Sequence, residues 1–84
     1  MLLYITLGTN DLVRATQFYD ATLGALGILR LRTEADEIGY AMPGDSRCRL
    51  WVVKPFDGKP ATVGNGSMPA LIAASHAEVD AFHA

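Results

Sequence analysis

The sequence predicts an α+β fold: a β-α-β-β-β unit with one helix against a mixed, mostly antiparallel sheet, followed by an incomplete second unit. Three observations carry this. An alternating apolar stretch at the N-terminus runs into a capped amphipathic segment. Three further strand-like stretches follow, separated by turn residues. A connection rich in Gly and Pro then leads to one more apolar stretch and a short capped helix.

Residues 2–8 alternate, with Leu3, Ile5 and Leu7 on one side and Leu2, Tyr4 and Thr6 on the other, the period of a strand with two distinct faces. Asn10 or Asp11 can cap the helix that follows, over about 11–25, because either side chain can accept a backbone N–H left unpaired at a helix start. Leu12, Ala15, Phe18 or Tyr19, Leu23 and Leu26 recur at helical spacing and form its buried stripe. The helix should end between Gly24 and Gly27, either of which can take the left-handed conformation of a helix terminus.

Residues 28–32 alternate as a second strand and 37–42 form a third. After the Pro43-Gly44-Asp45 turn, 48–53 form a fourth, with Cys48, Leu50 and Val52 expected on the face against the helix. Residues 1–54 thus make one unit. Residues 55–67 are long for a connection inside a compact domain and read as a linker or binding loop, with Gly64-Asn65-Gly66 as a turn. Residues 68–84 read as the first strand (68–73) and helix start of a second unit. Ser75 and Glu78 have the spacing of a capping box, and Val79 and Phe82 are the expected buried positions.

A chain of 84 residues supports one small domain that buries only roughly 60–65% of the surface its unfolded form exposes. Half its residues are apolar, so a partner subunit is expected to cover part of its surface. The formal net charge is −2 and there is no run of Lys or Arg, which excludes the electrostatic footprint of a nucleic-acid or anionic-membrane binder. The single cysteine, Cys48, has no internal disulfide partner, and no secretory signal or membrane span is visible, which points to the cytoplasm.

The run Tyr4-Ile5-Thr6-Leu7-Gly8-Thr9-Asn10-Asp11-Leu12, with Phe18-Tyr19 and Leu23-Gly24 in the helix, resembles the opening of the vicinal oxygen chelate superfamily. That group contains glyoxalase I, bleomycin-resistance proteins and extradiol dioxygenases. Many members open with strand, Gly-x-x-Asp-Leu, helix, Phe-Tyr and Leu-Gly. The resemblance implies a curved sheet with the helix on its convex face, a ligand in its concave face, and a domain of two β-α-β-β-β units side by side. On that pattern the chain carries one unit and only the opening of the next. A truncated product, a short protein completed by exchange of units in a homodimer, and a different fold are the three explanations.

Metal-dependent members hold the ion with His or Glu on the first strand of each unit, late in the last strand of the first unit, and near the C-terminus. By that resemblance the first three positions fall at Tyr4, Trp51 and Met68, and the fourth beyond Ala84. An indole and a neutral phenol are not ligands for Zn, Ni, Mn or Fe, and a thioether is soft and weak. No cofactor is therefore expected, unless another chain supplies the ligands of a divalent metal. His76 and His83 stand about 10 Å apart on one helix, too far to share an ion, and read as exposed residues. Cys48 reads as a small apolar core residue, and Glu34, Asp36 and Glu37 as a solvated acidic loop.

Strand parity lets Tyr4, Thr6, Arg49, Trp51, Val53, Met68 and Ala70 share the concave side. Tyr4, Thr6, Arg49, Trp51 and Met68 are the ligand-binding candidates: flat apolar faces with polar handles, an adaptable thioether, and a guanidinium able to hold a carboxylate or phosphate. The functional expectation is a protein that binds a small anionic or aromatic molecule without metal. The alternatives are a metal-dependent lyase or dioxygenase with ligands from the missing half or a partner subunit, and an inactive fragment. No catalytic residue can be named from these spacings.

Overall fold

A computed structural model describes residues 2–83 except Val63 and Asn65. The elements are β1 (Ile5–Gly8), α1 (Leu12–Gly24), β2 (Leu29–Thr33), β3 (Glu37–Ala41), β4 (Leu50–Val53) and α2 (His76–His83). The four strands form one sheet in the order β1-β4-β3-β2. β1 runs parallel to β4, and the β4–β3 and β3–β2 pairs are antiparallel. The expected α+β fold with its mixed, mostly antiparallel sheet is thus observed.

Helix α1 begins where the sequence placed it, and Asp11 rather than Asn10 takes the cap: its Oδ1 accepts the Arg14 N–H at 3.1 Å. At the other end Ile28 N–H donates to the Leu23 carbonyl and Gly27 N–H to the Gly24 carbonyl, both at 3.0 Å, the paired bonds of a Schellman motif. That motif needs a left-handed residue, which Gly27 supplies at φ +79°.

The core lies between α1 and one face of the sheet. Leu23 meets Ile38, Tyr40, Leu50 and Val52, with Ile5, Leu7, Leu12, Ala15 and Tyr19 packed around them. Of the two aromatic candidates on α1, Tyr19 packs inward, while Phe18 is 57% exposed and sits edge-on against the Tyr19 ring. Among these apolar groups the Tyr40 hydroxyl donates to Asp20 Oδ1 at 2.8 Å, and Asp20 Oδ2 lies 3.3 Å from the Arg30 guanidinium. Burial, together with the Asp20 carboxylate, pushes the Tyr40 phenol well above its ordinary value.

Cys48 corrects the expected alternation. It is buried, but on the sheet face away from α1: a Cβ built at Gly39 would stand 2.5 Å from Cys48 Sγ and 2.9 Å from Trp51 Cζ3. The cause is local. Arg49 N–H donates to the Tyr40 carbonyl at 2.9 Å although Tyr40 already pairs with Leu50, so two residues face one, as in a β-bulge, and parity slips before β4 begins. Strand β2 also slips between Arg30 and Arg32. Arg30 consequently reaches Asp20 on the α1 side, whereas Arg32 stands opposite Gly39.

Residues 68–73 form no strand, contrary to expectation, since no sheet strand among the described residues pairs with them. Helix α2 is present, and Ser75 and Glu78 cap it. Ser75 Oγ accepts the Glu78 N–H at 3.2 Å, and Glu78 Oε1 accepts the Ala74 N–H at 2.7 Å, one residue earlier than in the usual capping box. Phe82 packs against the core as expected, but Val79 is 52% exposed, because α2 rests on α1 through its other positions. Asn65 of the expected turn and the terminal Ala84 lie outside the described residues. Among the described residues no helix is long and apolar enough to cross a membrane.

Candidate functional site

The sheet face away from α1 carries Thr6, Trp51, Gly39 and Cys48. Gly39 and Trp51 are register partners across β3–β4, and Trp51 in turn stands beside Thr6 on β1. Cys48 fills the space over Gly39. Burial raises the Cys48 thiol above its ordinary value, against the Arg32 guanidinium, which lowers it. The thiol is therefore kept neutral and is no activated nucleophile.

Beside this floor opens a cleft of about 990 Å³. One wall is the sheet itself, through Tyr4, Thr6, Gly8 and Val53, and the other is the connection from Pro55 to Thr62. Residues read from sequence as a linker or binding loop thus line a cleft. The charged groups along it are Asp36, Glu37, Asp57 and Lys54, with the Lys54 ammonium 3.8 Å from Asp36. A smaller hollow of about 340 Å³ is lined by Leu2, Leu3, Tyr4, Ile5, Asp45 and Arg49. Tyr4 lines both.

Of the five candidate ligand contacts, Tyr4 and Thr6 come together in the larger cleft, and Trp51 stands next to Thr6 on the same face. Arg49 joins Tyr4 in the smaller hollow instead. Met68 is 88% exposed and lines neither, and Ala70 is exposed as well, because their segment does not add to the sheet. The connecting segment supplies what the strand pattern missed, above all Pro55, Phe56 and Pro60. The only signal for it was its Gly and Pro content.

A solved structure with this architecture is the crystal structure of a glyoxalase/bleomycin resistance protein from Albidiferax ferrireducens T118. It matches with a TM-score of 0.84 at 38% sequence identity, over 95% of this chain and 62% of that one. The fold is of the glyoxalase/bleomycin resistance type. The present chain therefore spans about three-fifths of that relative's length, and the likeness accords with the resemblance carried by Gly8, Asp11-Leu12, Phe18-Tyr19 and Leu23-Gly24. No protein-family model matches the sequence, and no curated protein does.

Metal chemistry is common on this fold, so the donor set matters. The positions that the resemblance assigns to metal ligands hold Tyr4, Trp51 and Met68, and the exposed Met68 lines neither cleft. A phenol, an indole and a thioether do not fit a hard or borderline divalent ion. Among the described residues no three His, Cys, Asp or Glu side chains are gathered as a metal group would need.

Proposed function

We propose that this chain is a glyoxalase/bleomycin-resistance-like protein that binds a small aromatic acid on the helix-free face of its sheet, without the metal site of its catalytic relatives. The observation that carries the reading is the pair of hollows that share Tyr4 in their linings. The larger offers Thr6, Val53 and the Pro55–Thr62 wall to a flat, largely apolar body. Its charged lining is mostly acidic, which steers an anionic group away from it and toward Arg49 in the smaller hollow. The Arg49 guanidinium suits a carboxylate or phosphate through paired hydrogen bonds. A homodimer, by exchange of units, is the partner state proposed with this reading, and the cytoplasm its compartment. The exposed apolar residues Leu29, Leu31, Met68 and Ile72 support a covering subunit.

Trp51 is the single tryptophan and lies beside the cleft, so its emission reports occupancy. Titration with 4-hydroxybenzoate should give a saturable change that added chelator leaves intact. Arg49→Ala should weaken the acid about tenfold or more, the loss of a charge-assisted hydrogen bond, and leave the uncharged 4-hydroxybenzyl alcohol unaffected. Absence of a saturable signal with either compound would overturn the reading. A signal abolished by chelator would favour the metal-dependent lyase or dioxygenase instead.

A further inference from the structure

We infer that Asn10 is a positioning residue of the cleft: its carboxamide latches the segment 55–62 against the sheet and so fixes the wall that faces Thr6 and Val53. This rests on the reading of the cleft as the binding site.

The latch is visible in the bonds. Ala61 N–H donates to Asn10 Oδ1 at 2.6 Å, and Asn10 Nδ2 donates to the Ala61 carbonyl at 3.2 Å. One side chain thereby pairs both backbone groups of a residue 51 positions away, as a neighbouring strand would. Asn10 is free to do this because Asp11 takes the cap of α1. The backbone just before it is held in turn, since Thr9 N–H donates to the Val53 carbonyl at 2.9 Å at the end of the β1–β4 ladder. The latch is therefore anchored on the sheet that forms the opposite wall.

Among the described residues the segment has few other hydrogen bonds. Its first half is locally folded: Gly58 N–H donates to the Pro55 carbonyl at 3.0 Å and Lys59 N–H to Asp57 Oδ1 at 2.9 Å. Those bonds shape the loop without tying it to the body. Phe56 is fully exposed and provides no apolar anchor. The segment comes close to the sheet at Gly8, where an added Cβ would stand 3.3 Å from Ala61 Cβ and 3.9 Å from Pro55 Cγ. Gly8 lets the segment come in, and Asn10 holds it there.

The latch can be tested without any ligand. In Asn10→Ala the Ala61 amide should exchange with solvent at least about tenfold faster by NMR, while the β3–β4 ladder amides keep their wild-type protection. Chymotryptic cleavage after Phe56 should accelerate in parallel. Asn10→Asp keeps the acceptor for Ala61 N–H and loses the donor, so its exchange should fall between the two. Binding of 4-hydroxybenzyl alcohol, followed by Trp51 emission, should weaken in Asn10→Ala. Unchanged Ala61 exchange with unchanged cleavage would overturn the latch. Loosened exchange with unaltered binding would overturn its positioning role. If the wild-type protein binds neither aromatic compound, the binding reading falls, and the latch is still judged by exchange and cleavage.

Discussion

Replacing Gly39 by alanine tests the placement of Cys48 directly. The new Cβ would lie 2.5 Å from Cys48 Sγ, 2.9 Å from Cys48 Cβ and 2.9 Å from Trp51 Cζ3. Favourable carbon contacts sit near 3.5–4.0 Å, so buried neighbours must shift, and overpacking of this kind costs about 1–3 kcal/mol. Alanine recovers about 0.5–1 kcal/mol of backbone entropy relative to glycine in a strand. The net loss is about 1–2 kcal/mol, a fall in Tm of about 5–15 °C for a domain of this size. Cys48→Ala alone should cost about 1 kcal/mol through its small cavity. In the double variant the closest contact is gone while the two at 2.9 Å persist, so the pair should lose about 1 kcal/mol less than the sum of the singles. Thermal and urea unfolding followed by far-UV circular dichroism measure all four proteins. Additivity within about 0.3 kcal/mol would refute the placement, because a Cys48 side chain on the α1 face has no route to Gly39.

Tyr40→Phe removes the hydroxyl bond to Asp20 but leaves the Arg30–Asp20 pair, and should cost about 1 kcal/mol in urea unfolding at neutral pH. The same variant should flatten an alkaline dependence. The folded state holds the Tyr40 proton above the unfolded phenol's 10.0, so stability is intact below about pH 10 and falls above it by up to about 1.4 kcal/mol per pH unit. The raised Cys48 thiol acts with the same sign from 9.0 upward, so the comparison is cleanest in a Cys48→Ala background. Ser75→Ala removes the acceptor for the Glu78 N–H and should cost about 0.5–2 kcal/mol of α2, seen as faster exchange at Glu78 and Val79 with the β3–β4 ladder unchanged.

The first half of the fold was legible because its signals are local. Thr6 and Leu7 alternate, Asp11 caps, Gly27 terminates, and Pro43-Gly44 turns, each through chemistry confined to a few residues. What escaped depends on pairs distant in sequence. The slip at Arg49 arises from how the chain enters the ladder opposite Tyr40, and it moved Cys48 to the other face. Strand geometry at 68–73 requires a neighbour to accept its hydrogen bonds, and apolar alternation alone cannot supply one. The same limit applies to the site. Tyr4 and Thr6 follow from strand parity, Arg49 falls where the parity slips, and Asn10 gave no signal because its partner is at position 61.

The cleft follows from how the two faces of the sheet are used. Helix α1 draws the bulky groups Ile38, Tyr40, Leu50 and Val52 to its own side, and strand alternation then leaves Gly39, Trp51, Thr6 and Gly8 for the other. The bulge at Arg49 adds Cys48 to that second face, where it fills the space over Gly39 and leaves a shallow floor in place of a second core. The glycines of that face then act differently. Gly39 admits Cys48 and Trp51 to the sheet, which closes the floor. Gly8 admits Ala61 and Pro55, which raises a wall beside it. A side chain at the first would disturb stability, whereas one at the second would push the wall outward with the β3–β4 ladder intact. Gly8→Ala should therefore alter Trp51-reported binding more than it alters Tm, and Gly39→Ala should do the reverse.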